Sequence, residues 1–263
     1  MFLKKKEVSL YYEVRGHGTP LVLIHGVMVD ADFYRHAADI LAKKYMVVTF
    51  DRRGNSRSRC CEESLFSIGT QAEDIKDILD ELKISSAYIV GVSAGAAIGL
   101  KFLENYPDRV IHMILYEPAV LGIVKQEPEI QTWIEKMQFL IKNRKYNTAL
   151  LEFFTHIGAQ DERAPQKDAA TSEREMENQE YALKEELPGL SEYMPDLKRL
   201  EKSRSKITFA VGEKSENSVY VRITYQLSGA LRKSVLFYPG FHNLAYDLPK
   251  EFAVCVHGTL ELL

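Results

Sequence analysis

Short, uninterrupted apolar runs punctuate the first third of the chain: Leu21-Val22-Leu23-Ile24, Met46-Val47-Val48-Thr49-Phe50 and Tyr88-Ile89-Val90. Runs of this length that do not alternate with polar residues suit strands covered on both faces, as in a parallel sheet. Between them, Asp32 to Lys44 and Thr70 to Leu82 repeat apolar residues every three or four positions, which predicts amphipathic helices. The strand formers of Val8 to Val14 lead into the turn Arg15-Gly16-His17-Gly18 and predict an opening hairpin. Strand and helix therefore alternate. The expected fold class is α/β, a doubly wound and mostly parallel sheet, with chemistry at the carboxyl ends of its strands.

From about Val120 to Ser205 this rhythm breaks. The segment reads as successive amphipathic helices rich in Glu and Lys, interrupted by Pro128, Pro165, Pro188 and Pro195. The strand pattern resumes at Ile207–Val211 and Ser234–Tyr238, and a helix beginning near Pro249 closes the chain. The expected organisation is one core domain, 1–119 and 205–263, interrupted by a helical cap over 120–204. The charged stretch Glu173 to Glu186 reads as a solvated helix face.

Composition narrows the partner. A formal charge of −3 in 263 residues gives no general pull toward nucleic acid or anionic lipid, and no stretch approaches a membrane span. A small-molecule substrate, no nucleic acid and no membrane are the expectations, with the chain a monomer or homodimer. Cys60, Cys61 and Cys255 do not form a secreted disulfide framework, and the N-terminus lacks the apolar run of a signal peptide, so a cytoplasmic location is expected. No Cys-x-x-Cys or His-Glu-x-x-His spacing supplies metal ligands, and no metal is expected.

The candidate chemistry begins at Gly91-Val92-Ser93-Ala94-Gly95, which follows a predicted strand and opens a predicted helix. A serine on that turn is pushed outward, and the glycines on either side let strand and helix approach. A serine hydroxyl is a poor nucleophile at neutral pH and needs a histidine to take its proton. His242 lies in a loop directly after a late strand, where the sheet edge would present it, whereas His17, His36, His112, His156 and His257 fall in turns, helices or a strand start. Backbone N–H groups of Val27, just beyond His25-Gly26, and of Ala94 are the candidate oxyanion donors, with Met28 an alternative to Val27. His25 itself reads as structural, and Asp51 as a stabiliser of the turn ending at Gly54.

The order His25-Gly26, Asp51-Arg52-Arg53-Gly54-Asn55-Ser56, Gly91 to Gly95, helical insertion and His242 resembles the capped α/β-hydrolases over nearly the whole chain. The resemblance implies the fold, the Ser93 and His242 roles and the oxyanion assignment. A serine at the elbow also separates the chain from relatives that form their covalent ester on aspartate. In most members the triad acid is an aspartate three residues beyond a glycine after the cap. Here Gly212-Glu213-Lys214-Ser215 puts a serine at that position, with Glu213 and Glu216 as out-of-register substitutes. A second location used by some relatives, the end of the strand after the nucleophile helix, carries Glu117.

The implied activity is that of a serine hydrolase, conservatively a carboxylic ester hydrolase, working through an acyl-enzyme on Ser93 without a cofactor. Aminopeptidase, carbon–carbon hydrolase, lactonase or perhydrolase chemistry could use the same elbow. A different class, a ligand-binding or signalling module with negligible turnover, stays open because of the unusual acid. Met28, Trp133, Met137, Phe153 and Phe154, with Phe139 and Met176, are candidates for an apolar substrate lining.

Overall fold

The computed structural model describes residues 1–60, 66–157, 168–216 and 218–262. Cys61, Pro165 and Asn217 lie outside the described residues. The strands are β1 (Phe2–Lys4), β2 (Val8–Arg15), β3 (Thr19–Ile24), β4 (Tyr45–Phe50), β5 (Arg59–Cys60), β6 (Ala87–Val92), β7 (Val110–Tyr116), β8 (Ile207–Gly212) and β9 (Val235–Tyr238). They form one sheet in the order β1-β2-β4-β3-β6-β7-β8-β9, with β5 also paired to β2. Pairing is antiparallel where β2 meets β1, β4 and β5, and parallel from β4 through to β9.

The helices of the core are α1 (Arg35–Leu41), α2 (Ile68–Glu81), α3 (Ala94–Asn105), α9 (Val219–Ala230), α10 (Leu244–Asp247) and α11 (Pro249–Glu261); between β7 and β8 lie α4 (Pro128–Lys142), α5 (Tyr146–Ile157), α6 (Ala169–Tyr181), α7 (Leu187–Glu192) and α8 (Leu197–Lys202). A π turn, Ala182–Glu186, joins α6 to α7. The predicted helix over 32–44 is shorter than its pattern: Ala31–Tyr34 is a 3₁₀ turn capped by Asp30, and the α-helix ends at Leu41.

Both faces of the sheet are covered, which explains the unbroken apolar runs. Along β3, Val22 and Ile24 pack into the layer of α2, α3 and α9, whereas Leu21 and Leu23 pack into the layer of α1, α10 and α11. Alternate side chains leave opposite faces of a strand, so a strand buried on both sides favours apolar residues at every position, with Thr49 in β4 and His112 in β7 as buried polar exceptions. The order of strands reverses at β3. The chain first adds β4 on one side of it and then crosses to add β6 on the other, so the carboxyl ends of β3 and β6 flank a topological switch point. Crevices for ligands form there because the loops diverge.

Proline marks the ends of the inserted helices and seldom interrupts them. Pro128 opens α4, where a missing N–H costs nothing, and Pro188 follows directly on the π turn in an otherwise continuous helical run from Ala169 to Glu192. No helix of the described residues is long and apolar enough to cross a membrane.

Candidate active site

The loop between β6 and α3 holds Ser93 at φ 58°, ψ −122°, a conformation that L-residues rarely adopt. Its glycine neighbours are required by contact. A Cβ on Gly91 would lie 2.5 Å from the Gly95 carbonyl oxygen, and one on Gly95 would lie 2.0 Å from that of Ile24. The tight turn thus seats α3 directly against β3 and β6. The Ser93 carbonyl accepts from Ala96, Ala97 and Ala119 N–H groups, while the Ser93 N–H donates to the Tyr116 carbonyl. The backbone is pinned by the end of β7, by the segment that follows it and by the first turn of α3, which holds the strained conformation in place.

One strand further, β7 ends at Tyr116 and the next residue, Glu117, is fully buried with φ 46°. Its N–H donates to the Ala210 carbonyl. Its carboxylate is held at both ends: Oε1 accepts the Gly212 N–H at 2.8 Å, and Oε2 lies 2.6 Å from His242 Nδ1. His242 arrives on the loop after β9, where Gly240 turns the chain at φ 98°. The ring is buried and stacks on Tyr220, centroids 4.7 Å apart and planes at 20°. Tyr116 ties the groups together, because its carbonyl receives Ser93 and its hydroxyl donates to the Phe241 carbonyl at 2.7 Å. Burial, with the Glu117 charge beside it, raises the Tyr116 phenol well above its ordinary pKa, which keeps it a neutral donor.

The loop after β3 borders the same turn. A Cβ on Gly26 would fall 3.2 Å from Ser93 Cβ. Met28 is buried and adopts φ 65°, so the chain reverses just past Val27. No acceptor among the described residues takes the Val27 N–H. Ala94 is the first residue of α3, where N–H groups have no partner within the helix. His25 is fully buried, with Nδ1 2.8 Å from the Gly26 carbonyl and Nε2 accepting the Arg52 N–H. Burial, then the Arg52 charge, holds its pKa well below the ordinary histidine value, so it is neutral. Asp51 accepts from Ala31 and Arg57 N–H groups and from the Arg57 guanidinium, bracing the turn; burial pushes its carboxyl pKa up against the Arg57 contacts.

The other candidates are placed as follows. Glu213 and Glu216 are exposed and neither bonds to His242; Glu216 lines a cavity with Glu129, His156 and Arg222. Ser215 is buried. Trp133 and Met137 line an apolar cavity with Leu121, Ile134 and Leu187, and Trp133 stacks on His156 with centroids 4.4 Å apart. Phe153 is fully buried in the core. Phe154, Phe139 and Met176 are exposed and do not face that cavity, a correction to the lining read from the sequence. Apolar spacing tells that a helix has an inner face but does not fix its edges.

The reading of Glu173–Glu186 as a solvated face is also corrected. Arg174 pairs with Asp30 at 2.7 Å and Asp32 at 2.6 Å, Asn178 is buried, and Glu186 is fully buried against Arg52 at 2.5 Å. A mixed-charge helix is usually solvated, and only complementary charges in distant loops make this one an inner face. Sequence reasoning missed Arg52, Glu186, Tyr116 and Tyr220. The adjacent Arg52-Arg53 in a tight buried loop was a weak signal for the first, and no signal marked Glu186.

Comparison with known proteins agrees with this architecture. The family model of the alpha/beta hydrolase fold matches residues 19–238. The uncharacterized hydrolase YraK of Bacillus subtilis is 31% identical over 258 residues, covering 96% of this chain and 93% of its own length. Among solved structures, a carboxylesterase of Nitrososphaera gargenis superposes with a TM-score of 0.77 at 20% identity, over 100% of this chain and 98% of its own. A thermophilic esterase of Thermogutta terrifontis does so with 0.68 at 16% identity, over 99% and 98%. At such identities the two structures speak for the fold alone, whereas the family model and YraK speak for descent: the chain belongs to the alpha/beta hydrolase family.

Proposed function

We propose that this hydrolase is a serine esterase, with Ser93 as nucleophile, His242 as general base and acid, and Glu117 as the carboxylate that orients it. The observation that carries the reading is the buried His242–Glu117 contact of 2.6 Å beside a strained serine turn tied to the same tyrosine. With Nδ1 committed to Glu117, the Nε2 nitrogen of His242 is the one left to exchange a proton with Ser93.

In this mechanism Ser93 Oγ attacks an ester-like carbonyl while His242 takes its proton. Glu117 stabilises the imidazolium, and the Val27 and Ala94 N–H groups receive the oxyanion. Collapse expels the alcohol, which leaves with the proton from His242. Water then attacks the acyl-Ser93 ester, giving its proton to His242, and collapse breaks the bond to Ser93 Oγ, which takes that proton back from His242 as the acid leaves. The helices over 120–204 act as a cap. The apolar cavity of Leu121, Trp133, Ile134, Met137 and Leu187 lies within this insertion, and its lining suits an apolar group over a charged one.

A pre-steady-state assay with p-nitrophenyl acetate tests this. A burst of p-nitrophenol equal to the enzyme concentration, absent in Ser93→Ala, is expected. Saturable ester binding without release of p-nitrophenol would replace the enzyme by a ligand-binding module.

A further inference from the structure

Arg52 is fully buried, and each of its nitrogens donates to the loop after β3 or to the helical insertion. Its Nε donates to the His25 carbonyl at 3.1 Å and its Nη2 to the Gly26 carbonyl at 2.8 Å, while Nη1 meets Glu186 Oε1 at 2.5 Å. Its own N–H donates to His25 Nε2, which leaves Nδ1 of the neutral ring as the proton-bearing nitrogen. That Nδ1–H then donates to the Gly26 carbonyl at 2.8 Å. Two donors therefore converge on one oxygen.

That oxygen belongs to the peptide joining Gly26 to Val27. A peptide is planar and trans, so fixing the Gly26 carbonyl fixes the Val27 N–H pointing the opposite way. The guanidinium is in turn held by Glu186, at the end of the π turn, a helix irregularity often found at functional sites. The seam around this contact is continuous. Asn178 donates to the Val29 carbonyl and accepts the Ser56 N–H, Arg174 binds Asp30 and Asp32, and the Tyr181 ring lies on Gly54. The α6–π turn segment thus rests directly on the loop that carries Gly26 and Val27.

We infer that Glu186, acting through Arg52, is a positioning residue for the oxyanion donor: seating of the helical insertion sets the Gly26–Val27 peptide in its working orientation. This rests on the serine-esterase reading. Its consequence is that the insertion does more than cover substrate. Displacing the π turn releases the guanidinium, frees the peptide to rotate, and weakens transition-state stabilisation while leaving Ser93, His242 and Glu117 in place.

The test is steady-state hydrolysis of p-nitrophenyl acetate and inhibition by an aryl trifluoromethyl ketone, whose hemiketal oxygen mimics the oxyanion, in wild type, Glu186→Gln and the double variant Arg52→Met/Glu186→Leu. The double variant removes both buried charges together and is expected to keep the fold, checked by circular dichroism and urea unfolding, even where a single change does not. Both variants are expected to lose about 10- to 100-fold in kcat with KM within about 3-fold, since a donor misplaced by a fraction of an ångström acts in the transition state only. Ketone affinity should fall by the same factor as kcat/KM, while affinity for the product acid stays level. Unchanged kcat and ketone affinity in the folded double variant, with only a lower Tm, would overturn the positioning role and leave the esterase reading intact. A wild-type protein without turnover overturns both.

Discussion

Glu117 and Glu186 are both fully buried carboxylates in contact with a basic side chain, and their surroundings assign them opposite tasks. Glu117 faces a histidine, which can gain and lose a proton, and both its oxygens are satisfied, one by a backbone N–H and one by the ring. Glu186 faces an arginine, which stays charged, and shares one oxygen between Arg52 and Asn55 while the other takes no hydrogen bond among the described residues. The first arrangement suits proton transfer, the second a fixed scaffold. The lesson is that burial of an acid says little by itself. The ability of its partner to change charge decides what it can do.

The sharpest break of this comparison is Glu117→Gln. An amide can donate to Nδ1, holding His242 in the wrong tautomer, so kcat for p-nitrophenyl acetate should fall by about 10³- to 10⁴-fold in a protein that still folds. Glu213→Gln and Glu216→Gln, at exposed positions, should leave kcat within about 3-fold. A large loss in either of those, with Glu117→Gln mild, would reverse the assignment of the acid.

Next in size is the stability of the second pair. Glu186→Leu alone leaves the Arg52 charge buried without its partner and should cost about 3–5 kcal/mol in urea unfolding, whereas Arg52→Met/Glu186→Leu should cost far less. Additive losses would mean that the two residues are not coupled.

A third buried histidine without any carboxylate sharpens the contrast from the other side. His112 bonds to Thr208 at 2.8 Å, and burial, then the Lys233 charge, lowers its pKa to about 4. Below about pH 6.5 the unfolded chain takes up a proton there that the folded protein does not, so stability is complete above that pH and is lost as pH falls toward 4. The difference between wild type and His112→Gln in urea unfolding should therefore change by up to about 3 kcal/mol across that window. A difference that does not vary with pH would show that the ring titrates alike in both states. The smallest effect is expected at the partly exposed Arg174 pairs, where Arg174→Ala should cost about 1 kcal/mol.

Much of this was legible in the chain. The two-sided strands β3, β4 and β6 announce themselves because a layer covered on both faces favours apolar side chains throughout, and Gly91 and Gly95 mark a turn that no side chain could share. Glu117 was legible only through the resemblance, as a strand-end location that some relatives use for the acid, beside Glu213 and Glu216. Arg52 and Glu186 were not, since their pairing spans 134 positions and neither local pattern nor propensity records a partner that distant. The exposed Phe154 and the buried Glu186 show the same limit: periodicity finds a helix face, and only tertiary packing determines where that face ends.

The central claim, that Ser93 is the activated nucleophile of this sheet edge, is tested most directly by peptide mapping after labelling with an alkyl fluorophosphonate. The account predicts one phosphonyl group per chain, on the peptide containing Ser93, with labelling slowed by on the order of 10³-fold or more when His242 is replaced by alanine. A protein that stays unlabelled, or one labelled elsewhere while Ser93 remains free, would contradict it.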